Sequence, residues 1–160
     1  MHTSALVRAR SLAVLLALIL VAATTALAAP AAEAAVVKPL DIVKIHFDPP
    51  GKDAAKNSGY TQEYIQVKNT GSSTLTLTGY TIRDDGPQKF SFPKGTKLAA
   101  GKTLTIRSGT GKNSTTTLYW NKASYIWNNT GDSARTYNGA GKLLETCKYT
   151  SNGTASTKTC

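Results

Sequence analysis

After residue 36 the apolar residues of this chain alternate with polar ones in short runs, and each run ends at a turn signal. Alternation with a period of two places one side of a strand in a core and the other in water, and no stretch carries the 3.6-residue spacing of a helix face. Residues 40–47 read as the first strand, stopped at Asp48-Pro49-Pro50-Gly51, where proline cannot donate to a ladder. Residues 63–68 read as a second, with Ile65 and Val67 on one face and a turn at Asn69-Thr70-Gly71. Leu75 and Leu77 alternate with threonine, and Gly79 allows a bend before Tyr80-Thr81-Ile82. Further strands are predicted at 89–92, 104–106, 116–120 and 125–127, with a closing hairpin of 134–137 and 143–149 around Asn138-Gly139-Ala140-Gly141. About eight or nine short strands at this spacing predict an all-β sandwich or barrel, with Trp120, Trp127, Phe90, Phe92 and Tyr80 as its heavy core members.

The first 35 residues follow a different pattern. Arg8 and Arg10 precede an unbroken apolar run from Leu12 to Ala23, and Ala26-Leu27-Ala28 fits a small-x-small cleavage site. Residues 1–28 are therefore predicted to be a signal peptide, with Ala32-Glu33-Ala34 as a later cleavage candidate, and 29–36 a flexible connection to a domain over 37–150. An uncleaved anchor is the other reading of the same stretch. Cleavage before Ala29 leaves 17 basic and 9 acidic residues, a formal charge of +8, so the basic character belongs to the mature domain.

Cys147 and Cys160 are the only cysteines in the chain. Export places them in an oxidising compartment, and a bridge between them would tie the polar segment 151–160 back to the last predicted strand. Closing so short a loop stabilises by roughly 3 kcal/mol in the chain-entropy model. Two free thiols or pairing with another chain are the alternatives. Two cysteines alone do not make a structural zinc site.

Several segments together carry a family resemblance. Glu63-Tyr64-Ile65-Gln66-Val67-Lys68-Asn69-Thr70-Gly71 resembles the E-Y-V-x-L-x-N-x-G strand and turn of the lamin-tail domain. Leu77-Thr78-Gly79-Tyr80-Thr81-Ile82-Arg83-Asp84 resembles that family's L-x-G-W-x-L-x-D, with Tyr80 in place of the tryptophan. Phe90-Ser91-Phe92-Pro93 with Leu98-Ala99-Ala100-Gly101, then Trp127-Asn128-Asn129-Thr130-Gly131-Asp132, and finally residues 140–149 resemble its later motifs in the same order. The resemblance spans about 37–150 and implies an immunoglobulin-like β-sandwich. It implies little about biochemical role, since a fold hosts many functions. Asn69, Gly71, Gly79 and Asp132 are expected to be architectural, in turns, a bend and amide capping.

Catalytic constellations are sparse. His46 is the single histidine beyond the leader, and no G-x-S-x-G elbow accompanies it, so it is expected at a strand end on the surface. Asp84 and Asp85 precede Gly86-Pro87 and read as a turn, without the D-x-D-x-D-G loop of a calcium site. No catalytic, cofactor or metal residue is assigned, and no cofactor is expected. Lys89, Lys94, Lys97, Lys102, Arg107 and Lys112 form the candidate polyanion-binding set. The expectation is a secreted, monomeric, non-catalytic module that binds a protein or cell-envelope polymer. An exported DNA or polyanion binder and a hydrolase with an unrecognised site are the alternatives.

Overall fold

A computed structural model describes residues 39–160. The expected leader, its two cleavage sites and the connection over 29–36 lie outside the described residues. Eleven strands and one short helix follow in chain order: β1 Leu40–His46, α1 Asn57–Tyr60, β2 Tyr64–Asn69, β3 Leu75–Thr76, β4 Thr81–Arg83, β5 Lys89–Ser91, β6 Lys97–Leu98, β7 Thr103–Arg107, β8 Thr117–Tyr119, β9 Gly131–Tyr137, β10 Leu143–Thr150 and β11 Thr157–Thr159. They form a five-stranded sheet in the order β11-β1-β2-β7-β8, a four-stranded sheet in the order β10-β9-β4-β5, and a small β3-β6 pair. All pairings are antiparallel except β7 with β8.

The alternation seen in the sequence becomes the two faces of each sheet. Leu40, Ile42 and Ile45 of β1, Ile65 and Val67 of β2 and Leu104 and Ile106 of β7 turn inward and are at most 1% exposed. They meet Ile82, Phe90, Ala134, Cys147 and Tyr149 from the other sheet in one buried cluster. This is the immunoglobulin-like sandwich that the family resemblance implies, one of the two architectures that the strand spacing left open. The expected aromatic anchors Trp120, Trp127, Phe90 and Phe92 are buried, whereas Tyr80 is half-buried and packs against the cluster. Phe47 and Tyr149, stacked with ring centroids 4.1 Å apart, are core members that the sequence reading did not name.

Three elements depart from expectation. Residues 125–127 form no strand, because the amides of Ile126 and Trp127 donate to a side chain instead of a ladder. Residues 97–98 form β6, too short to show an alternating pattern. The segment 151–160 contributes a strand of its own: β11 pairs with β1, so the sandwich extends to Thr159.

That last strand changes what the disulfide does. Cys147 lies on β10 of the four-stranded sheet, and Cys160 directly follows β11 of the five-stranded sheet. Their bond, with Cα atoms 5.8 Å apart, therefore joins the two sheets and not merely a tail to its neighbour. A second tie runs beside it. β1 bulges between Ile42 and Lys44, and the Ile42 amide donates to Glu145 Oε2 of β10 while the Cys160 amide donates to the Val43 carbonyl.

Candidate functional site

Three carboxylates lie buried at one end of the sandwich, and each is engaged by the loops around it. Glu63 precedes β2 and is fully buried. Its Oε1 accepts the Trp127 amide at 2.9 Å, and its Oε2 accepts the Ile126 amide at 2.8 Å and the Ser108 hydroxyl. Burial pushes its pKa from the ordinary 4.5 up to about 7, against the lowering effect of those three hydrogen bonds and with a small further rise from the charge of Asp53. Asp132 opens β9 and accepts amides from Asp85 at 3.0 Å, Asn128 at 3.2 Å and Ser133 at 2.7 Å. Asp84 Oδ1 accepts the Gln88 amide at 3.0 Å, and burial raises its pKa. Above this network Tyr149 donates its hydroxyl to the Asn128 carbonyl at 2.8 Å, and burial raises its pKa as well.

These groups are acceptors for backbone N–H that the β4–β5 and β8–β9 loops would otherwise leave unpaired. The arrangement is architectural. A buried acid of raised pKa is often a general acid, but Glu63 is fully buried and its oxygens face amides and a serine in the interior. Asp132 is the amide cap that its sequence context predicts, whereas Glu63 stands in the sequence only as the start of a predicted strand. Its partners stand 45 to 64 residues away in the chain, beyond any local signal.

His46 closes β1 half-exposed, with its Nδ1 2.9 Å from the Gln62 carbonyl and its ring 5.0 Å from that of Tyr64. Asp85 faces solvent, ion-paired with Arg135 of β9, which holds its carboxyl below the usual carboxylate range.

The six candidate polyanion residues do not gather on one face. Lys89 lies on β5 of the four-stranded sheet, Lys97 on β6 of the small pair, and Arg107 on β7 of the five-stranded sheet. Lys94, Lys102 and Lys112 are exposed in three separate loops. Arg107 is already engaged: it sits 5.8 Å from the Tyr64 ring centre and donates to the Thr61 carbonyl.

The register brings Lys89 together with residues the sequence reading left out. Lys89 stands opposite Arg83 of β4, and Arg83 stands opposite Arg135 of β9. Arg83 also lies over the Tyr137 ring, 5.1 Å from its centre. A cleft of about 330 Å³ opens beside them, lined by Thr81, Arg83, Lys89, Tyr137, Asn138 and Gly139 among others. Spacing along the chain gave no hint of this row, since Arg83 and Arg135 are 52 positions apart by number and meet only through strand pairing.

The Lamin Tail Domain family model matches residues 33–151. No curated protein matches the chain. The match covers most of the sequence and the whole of the sandwich up to the β10–β11 connection, Glu63 and Asp132 included. The chain belongs to the lamin tail domain family.

Proposed function

We propose that this chain is an exported, non-catalytic module that binds or scaffolds at or outside the cell surface. The observation that carries this reading is the fate of its polar motif residues. Glu63, Asn69, Asp84 and Asp132 are buried and hold loops in place, so the residues that mark the family serve the fold and leave recognition to the surface. The signal-peptide pattern of residues 1–28 and the Cys147–Cys160 bond support export.

The test is expression of the full chain with its leader in a secreting host, followed by intact mass of the protein in the medium. The expected species begins at Ala29 or Ala35 and carries no free thiol. Retention of the whole chain in the cell overturns export. A hydrolase screen on the wild type and a His46→Ala variant addresses catalysis: turnover that His46→Ala abolishes overturns the non-catalytic reading.

A second reading, binding to a polyanion, is favoured by how the charges divide. Glu63, Asp84 and Asp132 lie inside, and Glu145 is drawn toward the Ile42 amide, while the lysines of strands and loops are largely exposed. The surface is thus more basic than the formal charge of the chain suggests. Binding to a phosphate polymer that weakens steeply with salt is the expected result, and no binding at low salt overturns it.

A further inference from the structure

We infer that the outer face of the four-stranded sheet is a docking site for a polyol phosphate chain, held at the cleft between Arg83 and Lys89. The inference rests on the reading of the chain as an exported binding module and gives that module a site and a ligand class.

The starting point is an arrangement that works against the fold. Like charges directly opposite one another on neighbouring strands repel, at strand spacings of about 5 Å. Lys89, Arg83 and Arg135 occupy three consecutive strands in direct register. Asp85 neutralises Arg135, and this is the one ion pair among the described residues. Arg83 and Lys89 are both exposed and have no acid paired with them there. Two adjacent cations held side by side over a concave surface form a site whose missing component is an anion.

The lining selects among anions. An arginine fork with a lysine beside it suits phosphate oxygens. The Tyr137 face nearest the row is covered by the Arg83 guanidinium and does not offer itself to a base, which argues against recognition by base stacking. Around the cations stand groups that bond hydroxyls. Thr81 contributes an Oγ. Asn138 uses its Oδ1 for the Ala140 and Lys142 amides, which leaves its NH₂ to donate. Gly139 lets the chain run close to the β3–β4 bend, where a Cβ on Gly79 would lie 3.1 Å from the Gly139 Cα, so the cleft floor is backbone and not side chain. A cleft of about 330 Å³ accommodates one small repeat of a polymer. Phosphate for the cations and hydroxyls for Thr81 and Asn138 together describe a polyol phosphate.

The test uses the mature secreted protein and a defined glycerol phosphate oligomer, with binding followed by calorimetry at several salt concentrations. Duplex DNA and anionic phosphatidylglycerol vesicles at equal phosphate concentration serve as competing probes. The Arg83→Gln/Lys89→Gln pair is expected to weaken oligomer binding about tenfold or more and to flatten the salt dependence. The Lys94→Gln/Lys112→Gln pair removes the same charge from exposed loops and is expected to change affinity less than about threefold. Because the site places like charges together, the Arg83→Gln/Lys89→Gln protein is also expected to unfold at the same temperature as wild type or higher. The inference is overturned if the loop pair loses as much affinity as the sheet pair, if DNA or vesicles bind tighter than the oligomer, if nothing binds, or if the sheet pair lowers the unfolding temperature. Failure of export shows separately, as an unprocessed mass, and leaves the affinity comparison readable.

Discussion

The two ends of the sandwich solve the same problem with different chemistry. Each must satisfy the backbone amides of the loops and turns that join its strands. At the end where β2 and β9 begin, buried carboxylates do this: Glu63 for Ile126 and Trp127, Asp132 for Asp85, Asn128 and Ser133. At the opposite end neutral amides and glycines do it. Asn69 donates to the Ser73 and Leu98 carbonyls at 2.8 and 2.7 Å and accepts the Gly71 amide, while Asn138 accepts the amides of Ala140 and Lys142. Gly79, at φ +81°, lets the β3–β4 bend lie against Gly139. A carboxylate binds amides more strongly than a neutral amide oxygen does, but burial makes its charge costly. One end therefore responds to pH in the range where Glu63 titrates, and the other has no titratable group in its caps.

The largest expected effect breaks the charged end. Glu63→Ala leaves the Ile126 and Trp127 amides and the Ser108 hydroxyl without their acceptor and opens a cavity beneath Trp127. A loss of about 3 to 5 kcal/mol is expected in urea unfolding monitored by tryptophan fluorescence. A loss under about 1 kcal/mol would mean that water replaces the carboxylate without cost.

Next comes the staple that both ends share. Replacing Cys147 and Cys160 together with serine should cost about 3 kcal/mol, by the same unfolding measurement. This loss is expected to be equal at acid and neutral pH, because disulfide cysteines do not titrate.

The pH profile sharpens the comparison directly. The folded chain holds a proton on Glu63 between its ordinary pKa of 4.5 and about 7, where the unfolded chain has released it. The native state binds more protons in that window, so stability from this group is fully present below about 4.5 and declines as pH rises through about 7. The decline is on the order of 3 kcal/mol at most, and it should be absent in Glu63→Gln and unaltered in Asn69→Ala. A profile equally steep in Glu63→Gln would assign the slope to other groups.

The smallest effect lies at the neutral end. Gly79→Ala imposes a side chain at positive φ and brings its Cβ within 3.1 Å of Gly139. A cost of about 1 to 2 kcal/mol is expected, with the same value at pH 5 and pH 8.

The neutral end was the more legible of the two. Asn69 reaches residues two and four positions on for two of its three bonds, and Asn138 works within its own turn. Turn chemistry of this kind is written locally, in the order of residues along the chain. Asp132 was legible for the same reason, since Asn128 and Ser133 are near neighbours. Glu63 was not, and neither was the failure of residues 125–127 to form a strand. Both follow from one long-range encounter in which the carboxylate takes the amides that a strand partner would have used. The apolar, aromatic run Tyr125-Ile126-Trp127 looks like strand because burial was read correctly from its side chains, while the fate of its backbone amides was not.

By itself, then, the amino-acid sequence determined the all-β class, the strand faces, most of the aromatic core and the family, because alternation and turn residues act over a few positions. It also placed two cysteines where they could meet. Tertiary structure alone decided that their bond joins two sheets, since that depends on β11 finding the edge of β1. It alone decided that Glu63, Asp84 and Asp132 go inside while most lysines stay out, and that Lys89, Arg83 and Arg135 align in one row. Register between strands distant in the chain sets which side chains become neighbours, and a shift of one residue would turn every one of them to the other face.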